Sequence, residues 1–371
     1  MSATTSFDVP YTDLAAQAGT IKPELLQAVE GVLDSGRFIL GPNVTAFEME
    51  FAALCEAPIG LGVANGTDAL LLILRALALP PGAEVITAPN SFIASAAAIA
   101  LTGGKPVLAD VGDDLNLDPR AVEAAITPQT RALLPVHLTG RPARMKELQA
   151  IADEHDLVIV EDAAQSVGAK LDGAAVGSLG AAACFSLHPL KNLHAYGDAG
   201  MITTGDEKLA DAVRKARNHG LVDRDTSEEW GWNSRLDEVH AAMLRVQLQH
   251  FDAWTQERRR LGARYNDALR DVVQVPDEGP GEHCVYQTYV IQTDRRDELQ
   301  AYLRANGVEA LVHYPKPIHL QPAARRLGYR PDDLPVATRA AGRIMSLPLF
   351  PGLGADPQDR VAELLHASFH P

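Results

Sequence analysis

The stretch Val158-Ile159-Val160-Glu161-Asp162-Ala163-Ala164-Gln165 decides how this chain is read. An apolar run ends in two carboxylates and then in small residues. A short continuous apolar run of this kind suits a strand buried on both faces, as in a parallel sheet. Open α/β sheets bind ligands beyond the carboxyl ends of their strands, so Asp162 is placed to touch one. The competing reading of a strand-end Asp is the N-cap of the next helix.

The same pattern extends on both sides. Comparable runs are Ile59–Ala64, Glu84–Ala88, Pro106–Ala109, Leu133–His137, Ala182–Leu187 and Gly200–Thr203. Ala/Leu-rich helical stretches separate them, such as Thr67–Leu79, opened by Asn65-Gly66-Thr67-Asp68 and closed by Pro80-Pro81-Gly82. Strands alternating with helices predict an α/β fold with a mostly parallel sheet covered on both faces. After Thr204 the pattern changes. Arg235 to about Leu269 is long, charged and helical, and Asp277-Glu278-Gly279-Pro280-Gly281 marks a loop. A strand (Tyr286–Gln292), a helix (Arg296–Asn306), a strand (Val308–Tyr314) and a last helix (about Pro357–Phe369) follow. These predict a large domain over residues 1–250 and a smaller α+β domain over 251–371, the N-terminal segment being a candidate to pack on the latter.

Composition limits the function. The 371 residues are 46% hydrophobic and 22% charged, which excludes a disordered or fibrous protein. With 33 Lys+Arg against 48 Asp+Glu the net charge is −15, which argues against nucleic acid and anionic membranes as partners. One anionic small ligand in a local basic pocket is still allowed. Cys55, Cys184 and Cys284 are too few and too scattered for a disulfide framework, and a reducing cytoplasm fits. The first residues lack the pattern of a signal peptide, and the apolar run Leu70–Leu79 is broken by Arg75. A soluble cytoplasmic protein is expected.

Two further stretches carry chemistry. In Phe185-Ser186-Leu187-His188-Pro189-Leu190-Lys191-Asn192 an apolar strand runs into a turn that delivers one lysine. Near a crevice, a lysine is costly unless solvated, paired or covalently used, and a Schiff-base lysine is the functional reading. Asn65-Gly66-Thr67-Asp68 puts a glycine turn at a helix N-terminus, where free amides favour an anion. Taken singly, these are a surface lysine and a capped helix. Combined with Asp162 they describe a pyridoxal phosphate site: a lysine for the carbonyl, an acid for the ring nitrogen and a seat for the phosphate. His188 and His137 read as packing or structural histidines. His313 and His319 lack a Cys or carboxylate to complete a ligand set, so no metal is expected.

On these residues the chain resembles the DegT-type sugar aminotransferases, a branch of the fold-type-I pyridoxal phosphate enzymes. The resemblance runs nearly end to end. It includes Ser35-Gly36-Arg37-Phe38-Ile39-Leu40-Gly41, Asn65–Leu70, Glu161–Gln165, Phe185–Leu193, Arg217-Asn218-His219-Gly220, Gly231-Trp232-Asn233-Ser234-Arg235, His313-Tyr314, His319 and Ser346-Leu347-Pro348-Leu349. It implies a seven-stranded sheet. Lys191 would form the internal aldimine and act as the proton shuttle. Asp162 would pair with the pyridine nitrogen, Gln165 would sit by the phenolic oxygen, and Phe92 would stack on the ring. Ser186 and the Gly66 and Thr67 amides would hold the phosphate. Asn233 would reach the cofactor of a neighbouring subunit, making the active unit a homodimer. Arg37, Phe38, His313, Tyr314, Lys316 and His319 would edge the substrate pocket, with Arg235 and Arg325 as further cations of its rim.

Relatives that dehydrate sugars carry His in place of the lysine, so Lys191 points to transamination. An amino donor, L-glutamate, would load the cofactor, and a nucleotide-linked keto-deoxysugar would receive the amine. After the lysine the chain reads Tyr196-Gly197-Asp198-Ala199-Gly200. Members that act on 3-keto sugars more often carry Gly-Asp-Gly-Gly here, those on 4-keto sugars Gly-Glu-Gly-Gly. Asp198 leans toward a 3-keto acceptor, and Ala199 departs from both patterns. A 4-keto sugar, a cyclitol (inosose) and a non-catalytic pyridoxal-phosphate-binding regulator are the alternatives.

Overall fold

Seven strands answer to the seven apolar runs. In the computed structural model, which describes residues 7–369, they form one sheet. Its order is Ile59–Val63, Gly200–Thr204, Ala182–Ser186, Val158–Asp162, Thr130–Leu134, Glu84–Thr87, Lys105–Leu108. Gly200–Thr204 is antiparallel to both neighbours, and every other adjacent pair is parallel. Helices flank the sheet, which explains why its strands are apolar almost throughout rather than alternating. The expected α/β architecture is present.

One run lies earlier than its apolar residues suggest. The strand is Thr130–Leu134, not Leu133–His137. Pro135 has no N–H for the ladder. Its carbonyl still accepts from the Asp162 amide at 2.8 Å, and His137 N donates to the Asp162 carbonyl at 3.0 Å, so pairing resumes as a single bridge. The helix read as Thr67–Leu79 spans Gly66–Ala76. Asn65 caps it by accepting from Asp68 N at 2.8 Å, and Ala78, at φ 49°, turns the chain away at the other end.

The helix Glu238–Leu269 is capped by Asp237 and passes residue 250 without a break. Leu244 and Phe251 pack with Phe47, Phe51 and Phe185 against the sheet. Further along, Leu261, Tyr265 and Leu269 join a second cluster with Tyr289, Leu303, Leu347 and Leu365. Val9 belongs to that cluster as well, tied in by Val9 N to Gly307 O and Glu309 N to Val9 O. The N-terminal segment therefore packs with C-terminal residues.

Two C-terminal strands need correction. Tyr289–Gln292 pairs antiparallel with Ile344–Leu347. The strand begins at Tyr289 rather than Tyr286, because Tyr286 sits at φ 46° and breaks the extended backbone. Val308–Tyr314 is no strand. Val308 and Ala310 are buried in alternation, which imitates one, but only isolated bridges join Val308 to Val9 and Leu311 to Ser346. Alternation fixes which side is buried; a strand also needs a ladder partner.

Candidate active site

The strand Val158–Asp162 sends its last two carboxylates to opposite faces, as a two-residue repeat requires. Glu161 turns inward and accepts from His137 Nε2, Gly177 N, Leu179 N and Gly180 N, all between 2.8 and 2.9 Å. His137 Nδ1 accepts from Ala143 N, so Nε2 carries the hydrogen. His137 is therefore structural. His188, read as a packing residue, is exposed, its Nδ1 accepting from Leu190 N at the surface turn. Asp162 takes the other face. Its Oδ2 accepts from Ser95 Oγ at 2.7 Å, and its Oδ1 from Ala164 N at 3.2 Å and Cys184 Sγ at 3.6 Å. No helix starts at Asp162, so the capping reading reduces to the one turn bond with Ala164.

The neighbouring strand Ala182–Ser186 feeds the loop of Lys191. That loop is clamped along its length. Leu187 N bonds to Ala199 O, Ala195 N to Leu187 O, Asn192 Nδ2 to Val167 O, and Gln287 Nε2 to Leu190 O. Among the described residues Lys191 has no ion-pair partner. Burial lowers its amine to about 8, and the fields of Asp162 and Cys184 oppose that fall. The amine is thus a usable base and nucleophile near neutral pH.

The helix Gly66–Ala76 starts beside the same strand end. A Cβ on Gly66 would lie 2.8 Å from Ser186 Cβ, and one on Gly200 would lie 2.5 Å from the Asn65 carbonyl. Glycine at both positions lets the helix start approach Ser186. The first-turn amides of Gly66 and Thr67 have no intrahelical acceptor, and Gly66 packs against Ser186, so amides and hydroxyl together offer a donor set suited to a phosphate.

Phe92, Gln165 and Tyr314 share the cleft. Phe92 is 53% exposed, with its ring 5.6 Å from that of Tyr314. Thr139 N donates to Gln165 Oε1 at 2.6 Å, which turns the Gln165 amide N–H toward the Tyr314 hydroxyl at 3.4 Å. Burial, then the Asp162 charge, pushes the Tyr314 hydroxyl up to about 12. His313 shares a hydrogen bond with Ser346 Oγ at 2.9 Å, and burial, helped by Lys191, lowers its ring to about 4. His313 is therefore neutral at physiological pH. His319 is buried and bonds to Thr338 Oγ1 at 3.1 Å, and its turn meets the Phe92 loop through Ile318 N to Pro89 O.

Other expected residues stay at the surface. Arg37, Phe38, Lys316 and Arg325 are exposed. Asn233 is exposed beside Trp232 and bridged to Asn218, and Arg235 donates to Asn218 Oδ1 at 2.9 Å. Within one chain the structure brings together Lys191, Asp162, Gln165, Ser186, Gly66, Thr67, Phe92, His313 and Tyr314. Ser95, Thr139 and Cys184 were not anticipated. Their only signal was proximity in sequence or sheet register to residues already singled out: Ser95 to Phe92, and Cys184 as the register partner of Asp162.

The helix-start amides beside Ser186, the buried lysine and the strand-end carboxylate make up a donor set of the kind pyridoxal phosphate requires. Fold and site define a pyridoxal-phosphate-dependent transaminase. The chain belongs to the DegT/DnrJ/EryC1/StrS aminotransferase family, which it matches over residues 19–366. It is 45% identical to the dTDP-3-amino-3,4,6-trideoxy-alpha-D-glucose transaminase of Streptomyces venezuelae, over 93% of this chain and 92% of that protein. It is also 45% identical to a pleiotropic regulatory protein of Geobacillus stearothermophilus, over 96% of this chain and 97% of that one. The crystal structure of S. venezuelae DesV in complex with a ketimine intermediate superposes with a TM-score of 0.96 at 42% identity, covering 99% of this chain and 100% of that one.

Proposed function

We propose that this transaminase transfers an amino group from L-glutamate to the C3 ketone of a nucleotide-linked 3-keto-deoxysugar. Lys191 carries the reading, because its low-pKa amine sits at the strand-end cleft within the field of Asp162. Asp198 and the 3-amino product named for the Streptomyces relative favour C3 over C4. Pyridoxal phosphate, when bound, supplies an electron sink for the carbon that gains or loses a proton. In this reading Lys191 Nζ would hold the cofactor's carbonyl carbon, and its amine would carry that proton. Asp162 would pair with the ring nitrogen and favour its protonated form. The Gln165 amide would donate toward the phenolic oxygen, Phe92 would cover a ring face, and Ser186 with the Gly66 and Thr67 amides would hold the phosphate. Arg37, Phe38, His313, Tyr314, Lys316 and His319 edge the acceptor pocket.

The active unit in this reading is a homodimer in which Asn233 completes the partner's phosphate site. Support comes from the exposed apolar residues Phe38, Ile39, Leu40, Val222 and Trp230. A groove of about 430 Å³ lies between the segments Ile39–Leu40 and Leu221–Arg224. So many large apolar side chains in contact with water favour a covering surface. Residues up to about 250 then form the cofactor domain, apart from the segment around Val9, and those beyond it the lid-side domain, with the helix Glu238–Leu269 running through both. Three buried free cysteines suit the cytoplasm.

The test is a half-reaction screen. Enzyme loaded with L-glutamate is offered 3-keto nucleotide sugars, 4-keto nucleotide sugars and cyclitol ketones, and the cofactor's absorption band is followed. Recovery of the band with 3-keto sugars is expected. Recovery with 4-keto sugars or cyclitols alone overturns the C3 assignment, and no response to glutamate overturns the donor.

A further inference from the structure

We propose that Ser95 is a positioning residue for the cofactor's ring nitrogen, acting as the middle member of a one-way hydrogen-bond relay from Ser91 through Ser95 to Asp162. The inference rests on the role of Asp162 given above. Ser95 is completely buried and Ser91 nearly so. Ser95 Oγ lies 2.7 Å from Asp162 Oδ2, 2.9 Å from Ser91 Oγ and 3.4 Å from Phe92 O. A serine hydroxyl has one proton to give, and a carboxylate oxygen accepts. The short bond to the carboxylate outcompetes the long one to the carbonyl. Ser95 therefore donates to Asp162 and accepts from Ser91.

The relay explains a feature of the segment Asn90–Ser95, a loop that runs into the first turn of the helix Ala94–Leu101. This loop presents Phe92 to the cleft and fixes Asp162 through Ser95, so one segment governs both the face of the ring and the partner of its nitrogen. The loop is itself pinned by Asn90 Nδ2 to Leu115 O and Ile318 N to Pro89 O. Without the Ser95 hydroxyl, Asp162 Oδ2 loses its donor and the carboxylate is free to turn away from the ring nitrogen, which then holds its proton less well. A ring less fully protonated withdraws electrons less well. Both half-reactions use the same ring nitrogen, so both slow together.

The test compares holoenzyme of the wild type with Ser95→Ala, Ser95→Thr and Ser91→Ala. Two quantities are read: the pH midpoint of the bound cofactor's absorption band, and the rate of each half-reaction. Ser95→Ala is expected to move the midpoint upward and to slow both halves by a common factor of about 10, the order expected for a hydrogen bond to a charged group. Ser95→Thr should restore both readouts, and Ser91→Ala should shift them the same way by less. If Ser95→Ala keeps the wild-type midpoint and rates, or changes only the acceptor KM, the relay is wrong. If the wild type itself shows no cofactor band, the cofactor reading fails, a separate outcome.

Discussion

Glu161 and Asp162 are adjacent on one strand and carry the same charge, yet they do opposite work. Glu161 is wholly buried, and His137 with three backbone amides saturates it. Asp162 lies at the cleft and takes its donors from Ser95, Ala164 and Cys184. The strand's two-residue repeat makes the division: one carboxylate ties the loop Gly177–Gly180 to the sheet, and its neighbour faces the chemistry. A carboxylate pair in sequence is thus two sites, one structural and one, in the proposed function, for the cofactor's ring nitrogen.

The strongest way to break this comparison is to alter each member alone. Asp162→Ala should reduce both half-reactions by on the order of 10³-fold while leaving the urea midpoint close to wild type, because the ring nitrogen loses its charged partner. Glu161→Ala should do the reverse to the fold. It strands His137 and three amides, and chemical denaturation should show a loss of about 3–5 kcal/mol. If Glu161→Ala is stable and Asp162→Ala unfolds, the division is wrong.

A third prediction sharpens the electrostatic side. Lys191 is lowered to about 8 by burial, so the neutral amine that captures the cofactor is scarce below that pH and plentiful above it. Stopped-flow capture of pyridoxal phosphate by the cofactor-free protein should accelerate about tenfold per pH unit up to about 8 and then level off. A profile still rising to about pH 10 would mean an ordinary solvated lysine. His313 is neutral across this range and contributes no inflection. The smallest effect concerns the rim. Replacing Arg37 and Lys316 by Ala should raise the acceptor KM by about 3- to 10-fold, the modest scale of exposed charge contacts, with the glutamate half-reaction unchanged. An unchanged acceptor KM would remove both from the pocket.

Much of this site was legible because parallel sheets gather their strand ends. Asp162 and Lys191 each follow an apolar run, and two neighbouring runs ending in chemistry imply one crevice. Gly66 was legible because a glycine turn at a helix start leaves free amides for an anion. Ser95 was not legible, because its target lies 67 residues away and is reached only across the sheet. Sequence alternation misled at Val308–Tyr314, where the burial is real but the ladder is missing. Asn233 and Arg37 show the limit of a single chain: both are exposed, and their proposed work needs a second subunit or a substrate.

The most direct measurement of the central claim is the position of the transferred nitrogen. The holoenzyme is incubated with isotope-labelled L-glutamate and a nucleotide-linked 3-keto-deoxysugar, and the product is read by NMR and mass spectrometry. The account predicts the label on C3 of the sugar and stoichiometric 2-oxoglutarate, with neither formed by Lys191→Ala. An unlabelled sugar, or equal turnover by Lys191→Ala, would contradict it.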